Sequence, residues 1–125
     1  NKVFNQVKKV LKKNGHFIFS IGNPVSEVVK KVKINEKTFR ILGENDYFKE
    51  KKIYSVWKNI NSKNMKIPIY HKTYETIIKT ILNNGFEIVD YRDCFPLKKA
   101  KKLFPKDYSL FSKTPYFCVW KIRKK

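Results

Sequence analysis

Residues 73–91, TYETIIKTILNNGFEIVDY, constrain the fold more than any other stretch, because the hydrophobic period changes there once and at a defined point. Tyr74, Ile77, Ile78, Ile81 and Leu82 recur at the spacing that paints one apolar stripe on an α-helix. Thr73 is placed to cap the amino end by accepting an orphan amide hydrogen, and Gly85 can take the left-handed conformation that closes the helix. Phe86, Ile88, Val89 and Tyr91 then read as a strand. The segment is thus a helix that feeds directly into a sheet, with Tyr70 and His71 standing just ahead of it.

The same device occurs upstream. Val3, Phe4, Val7, Val10 and Leu11 sit at helical spacing, and Asn14-Gly15 supplies a stop in a left-handed turn. His16 to Ile21 is apolar on both parities, as expected of a parallel strand covered on both faces, and Gly22-Asn23-Pro24 breaks it at its carboxyl end. Residues 25–52 show no clear period and read as a short helix from Ser26 followed by loop. Residues 53–60 and MKIPIYH form a hairpin, with Pro68 confined to an edge or an end because it cannot donate to a ladder.

Near the carboxyl end, PLKKAKKLF is expected to form one amphipathic helix with Leu97, Ala100, Leu103 and Phe104 inward, before a last strand, YFCVWKIRKK. Strand, crossover helix and strand in this order give a right-handed βαβ unit in an α/β fold, and the last two strands are expected antiparallel at the sheet edge.

A formal charge of +19 raises the question of nucleic acid. All but three of the 29 basic residues are lysine, however, whereas arginine carries the planar fork suited to phosphates and base edges. The chain is also rich in Phe, Tyr, Ile, Asn and Lys and poor in Gly, Ala, Arg and Pro, the skew that an AT-rich genome imposes. Most of the lysines therefore read as a solvated coat. Cys94 and Cys118 lack CxxC spacing, so they read as small buried hydrophobes, with no zinc site or disulfide framework. There is neither an apolar run long enough to span a membrane nor a secretion signal, so a cytoplasmic protein with no membrane partner is expected.

VFNQVKKVLKKNGHFIFSIGNP, YHKTYETIIKTILNNGFEIVD and TPYFCVWKIRK, in this order, resemble the carboxyl half of the class I, Rossmann-like S-adenosylmethionine-dependent methyltransferases of the small-molecule type. The counterparts there are a helix with "RVLKPGG" before a strand ending in His-Pro, a "YHRTLSDYINALLDAGF" segment, and a closing "PYFLVLKARK" strand. The resemblance implies a sheet with a parallel strand, crossover helix, strand and antiparallel last strand, carrying an inserted hairpin, with residues 1–125 forming a partial domain whose insert spans about 25–69. It departs from the family at Asn23-Pro24, where the family has His-Pro, and at Asp93-Cys94-Phe95-Pro96, a loose match to Glu-Pro.

In this family the cofactor is held by a glycine-rich loop and by an acidic residue ending the second strand. Gly15, Gly22, Gly43 and Gly85 are scattered and form no such cluster. With Asn rather than Met at position 1, the expectation is a fragment, a split product or a degenerate relative of a protein about twice as long. S-adenosylmethionine would serve the complete enzyme, while the isolated chain would bind none and be inactive. A separate cofactor-binding polypeptide is one expected partner, a small-molecule methyl acceptor another.

Ligands of open α/β sheets sit at the carboxyl ends of strands, which places Asn23 and Pro24 at the crevice, and the resemblance puts Tyr70 and His71 near the acceptor. Each also has a plainer reading: Asn23-Pro24 as a loop breaker, His71 as a packing histidine, Tyr70 as a half-buried ring. Trp57 and Trp120 read as core and His16 as structural. A Cys94–His71 hydrolase lacks any activating turn. Two further functions stand beside methyl transfer: a basic nucleic-acid-binding module, whose affinity would fall steeply with salt, and a noncatalytic partner subunit.

Overall fold

The apolar stripes of the first and third helices meet over one face of a sheet. The computed structural model describes residues 2–42, 46–58 and 64–125, with backbone alone for 30–33, 38–42 and 56–58. Helix α1 (Lys2–Val10) ends before Asn14, which takes the left-handed conformation (φ 62°), and leads into strand β1 (His16–Gly22). Helix α3 (Tyr74–Asn83) begins at Thr73, whose hydroxyl accepts the amide hydrogen of Thr76 at 3.2 Å. It is followed by Gly85 at φ 79° and strand β6 (Phe86–Asp93).

Strand β7 (Phe117–Lys124) lies between β1 and β6 and is antiparallel to both, giving the order β1-β7-β6. The last strand is therefore antiparallel as expected but central, not at the sheet edge. Because β1 and β6 both oppose β7, they run in the same direction, and the long connection between them ends in α3. Phe4, Ile81, Phe86, Cys118, Trp120 and Ile122 form the buried core, and Phe17, Phe19 and Ile21 pack against it. The Phe4 ring meets Phe19 edge-on at 5.7 Å between centroids and lies 6.0 Å from Phe86. Each large side chain buried here contributes roughly 1.5–3 kcal/mol.

Strand β1 departs from the expectation of cover on both faces. Its residues alternate, with Phe17, Phe19 and Ile21 against the core and Ile18 62% exposed. The physical reason is that α1 and α3 pack against one face of the strand and leave Ile18 on the other. Among the described residues β1 also pairs with β7 alone, so it is a sheet margin. Asn23 donates its amide hydrogen to the Tyr116 carbonyl at 3.0 Å, and Lys124 donates to the Gly15 carbonyl at 2.9 Å. By the alternation of antiparallel ladders, Phe17, Phe19 and Ile21 direct their backbone groups to β7, while His16, Ile18 and Ser20 direct theirs to the open side.

Residues 25–52 hold more order than a helix and a loop. A one-turn helix, α2 (Pro24–Glu27), is followed by an antiparallel ribbon of β2 (Val29–Ile34) and β3 (Lys37–Leu42). Asn35 and Glu36 both have positive φ (46° and 63°), the geometry of a two-residue hairpin turn whose twist matches the flanking strands. A second ribbon pairs β4 (Lys52–Lys58) with β5 (Asn64–Tyr70) and seats Pro68 opposite Tyr54. The far end of the expected 53–60 strand, residues 59 and 60, lies outside the described residues, as does the Trp57 side chain.

The single amphipathic helix expected at 96–104 is also corrected. Helix α4 covers only Ala100–Leu103, and α5 (Pro105–Phe111) starts afresh, because Pro105 excludes the α conformation from Phe104 (φ −138°, ψ 63°). Leu97, Leu103 and Phe104 are exposed, not inward. Cys118 and Trp120 are buried and Cys94 is half-buried, while His16 is exposed at the start of β1.

Candidate functional site

The carboxyl end of β1 is where polar side chains converge. Asn23, directly after the strand, is completely buried, and its amide is fully engaged. Its Oδ1 accepts the Val25 amide hydrogen at 3.1 Å and the Tyr74 hydroxyl of α3. Its Nδ2 donates to Asp93 Oδ1 at 2.8 Å and to the Tyr91 hydroxyl at 3.4 Å, both at the end of β6. Tyr91 donates in turn to Asp93 at 2.7 Å. One asparagine thus ties the ends of two parallel strands and a helix, which a neutral side chain with two donors and an acceptor does without any buried charge of its own. Burial, then the Asp93 carboxylate, push the Tyr91 hydroxyl far above its ordinary range; burial likewise raises Tyr74. Both remain protonated donors at any ordinary pH.

His71 is 2% exposed and uses both ring nitrogens. Nε2 lies 2.7 Å from the Tyr47 carbonyl, an acceptor, so it carries hydrogen. Nδ1 lies 2.7 Å from Glu27 Oε2 at the end of α2, a contact that requires one more proton between the two groups. Burial raises the Glu27 carboxyl above its usual range, with the His71 hydrogen bond and charge opposing the shift.

The segment 46–51 also caps α3. Glu50 Oε1 accepts from the Thr73 amide at 3.0 Å and the Thr73 hydroxyl at 3.2 Å, and Tyr47 Oη accepts from the Tyr74 amide at 2.9 Å. Hydrogen bonding at Thr76, together with Lys72 and Thr73, holds the Glu50 carboxyl down at about 2.

A cleft of about 350 Å³ opens beside these groups, with Ile21, Gly22, Pro24, Glu27, Tyr70 and Ile77 among its walls. Of the four residues singled out from the sequence, Pro24 and Tyr70 line it. Asn23 and His71 stand behind the wall, the latter holding Glu27 in place. Tyr70 is 66% exposed and its ring lies 6.0 Å from the Lys52 ammonium. Sequence reasoning missed Glu27, Tyr47, Glu50, Tyr74 and Tyr91. Tyr74 was legible only as a stripe residue, and nothing in the spacing links Glu27 to a histidine 44 positions away.

A Cβ added at Gly22 would meet Glu27 Oε1 at 2.9 Å, and one at Gly85 would meet Lys8 Nζ at 2.6 Å, so these glycines make room for the chain's own side chains. Among the described residues there is no cluster of three metal-ligating side chains, and no helix long and apolar enough to cross a membrane.

No family model matches the sequence. No curated protein matches it. Solved structures do. A Listeria monocytogenes protein assigned as an S-adenosylmethionine-dependent methyltransferase superposes with a TM-score of 0.73 at 23% identity, over 98% of this chain and 54% of that one. An S-adenosylmethionine-dependent methyltransferase from Mesorhizobium loti gives 0.70 at 18% identity, with the same coverage of both chains. The chain has the fold of about half of these methyltransferase structures, and spans about half their length.

Proposed function

We propose that this chain is the carboxyl-terminal half of a class I methyltransferase domain, supplying sheet core and acceptor pocket to an S-adenosylmethionine-dependent enzyme whose cofactor is held by residues outside it. The observation that carries this reading is the margin at β1. A strand with no acid, lysine or arginine and no bulge, pairing on one side only among the described residues, is what a sheet looks like where it has been cut, and the chain spans 54% of the methyltransferase structures it superposes on.

On this reading the ribbons from β2 to β5 are the insert, and they bring Tyr47, Glu50, Tyr70 and His71 to the end of β1. Methyl transfer gains chiefly from aligning a nucleophile with the methyl group, so the acceptor half needs a shaped cleft more than a dense cluster of acids and bases. The cleft between Pro24, Tyr70 and Ile77 fits that role, with Tyr70 as a wall residue and Asn23 and His71 as positioning residues. The methyl acceptor is a small molecule, and the cofactor-holding half is either a separate polypeptide or a neighbouring stretch of the same protein.

Calorimetric titration with S-adenosylhomocysteine tests this. The 125-residue chain alone gives no binding heat, whereas the same chain mixed with a polypeptide carrying the glycine-rich half binds it. Tight binding by the chain alone, or none after complementation, would defeat the reading.

A further inference from the structure

We infer that Glu27 is the group that fixes a ligand in the cleft at the end of β1, and that the ligand is a small, largely apolar molecule bearing one hydroxyl or amine hydrogen-bond donor. The walls contributed by Ile21, Pro24, Pro68, Ile69 and Ile77 are apolar and suit a hydrocarbon or aromatic body. Two charged side chains reach the same cleft. Lys72 is already engaged, its Nζ lying 2.9 Å from Glu50 Oε2. Glu27 is the one carboxylate on the wall among the described residues.

Two independent constraints aim that carboxylate. His71 Nδ1 holds Oε2 at 2.7 Å, and the histidine is itself locked by its second nitrogen on the Tyr47 carbonyl. The absence of a side chain at Gly22 leaves the space that Oε1 occupies, 2.9 Å from where a Cβ would stand. The proton shared with His71 lies on the Oε2 side, so Oε1 presents lone pairs and no hydrogen. It therefore selects a donor and repels an acceptor. Glu27 is 12% exposed, enough to be reached from the cleft and little enough for its hydrogen bond to be shielded from water. Burial raises its carboxyl, in keeping with a group drawn out of solvent.

This assignment rests on the methyl-transfer reading for why the ligand matters, but its test needs no cofactor. The 15N-labelled chain is titrated at neutral pH with benzyl alcohol and, separately, with benzyl methyl ether, which keeps the aromatic body and removes the donor. The amides of Gly22, Glu27 and Ile69 shift with the alcohol, which binds about tenfold tighter than the ether, the difference expected of one hydrogen bond to a charged acceptor.

Gly22→Ala, at a residue whose backbone does not need glycine's positive φ, pushes Oε1 aside and brings the alcohol-to-ether ratio close to one while the rest of the spectrum is retained. Glu27→Gln lowers the ratio as well, because a neutral amide oxygen is a weaker acceptor, and it decides the matter if the alanine variant unfolds. Equal affinity for alcohol and ether, shifts confined to a second cleft of about 370 Å³ lined by Val3, Phe17 and Thr80, or a ratio unchanged in the variants would overturn the assignment. Such a result would leave cofactor binding by the completed sheet untouched, and failure of that binding would leave the cleft result standing.

Discussion

The two margins of the three-stranded sheet are built differently. Strand β6 is guarded: its register shifts between Ile88 and Asp90, and it carries Glu87, Asp90, Arg92 and Asp93. An irregularity and a row of charges discourage a further strand from pairing. Strand β1, HFIFSIG, pairs with β7 without a register shift and carries neither acid nor lysine nor arginine. One margin is finished and the other is open. Margins managed so unequally are the physical ground for the proposal that the sheet stops at β6 and continues past β1.

The comparison can be broken most forcefully in the core the two strands share. Phe86→Ala at the buried start of β6 is expected to cost about 3–5 kcal/mol, while Ile18→Ala on the open face of β1 costs less than about 1 kcal/mol. Urea unfolding of both variants checks this; similar losses would mean that the outer face of β1 is already covered.

Next in size is His71→Ala, at about 3 kcal/mol, since it leaves the Glu27 carboxylate buried without its partner. Hydrogen exchange should show the segment 46–53 loosening from α3 while β6 and β7 stay protected. Tyr74→Phe removes the hydroxyl that donates to Asn23, where the ends of β1 and β6 are joined, and is expected to cost about 1 kcal/mol in the same urea assay.

The smallest effect is pH-dependent. Glu50 titrates at about 2 in the folded chain against 4.5 ordinarily, so the folded state binds its proton less readily than the unfolded state. Its contribution is present above pH 4.5 and is lost as pH falls towards 2. Because the Glu50 side chain is about a quarter exposed and so partly screened by solvent, Glu50→Gln should cost less than about 1 kcal/mol near neutrality, with the difference from the parent chain vanishing at the acid end. A constant difference across that range would contradict the capping role.

How much of this was legible in the sequence follows from the range of the forces involved. Helices α1 and α3 could be read because their stripes and stops are local: Thr73, Asn14 and Gly85 cap or terminate within a few residues. The position of β7 could not, because inserting it between β1 and β6 is a matter of pairing across the whole chain, and an apolar strand looks the same at an edge or in the centre. The hairpin at Asn35-Glu36 was missed because Glu is an uncommon turn residue at positive φ. Leu103 and Phe104 misled because helical spacing continued up to a proline that the backbone could not accept within one helix. At the cleft, Pro24 was singled out from its place at a strand end and Tyr70 from the family resemblance, and both line it, but Glu27 meets His71 only because the chain folds back over 44 positions, which no period records.

Amide hydrogen exchange along β1 tests the central claim most directly. In the chain by itself, the Phe19 and Ile21 amides, turned to β7, should be protected, while those of Ile18 and Ser20, turned to the open side, exchange at nearly unstructured rates. Ile18 and Ser20 protected as fully as Phe19 would show the margin to be closed, and the proposal of a sheet awaiting its other half would fall.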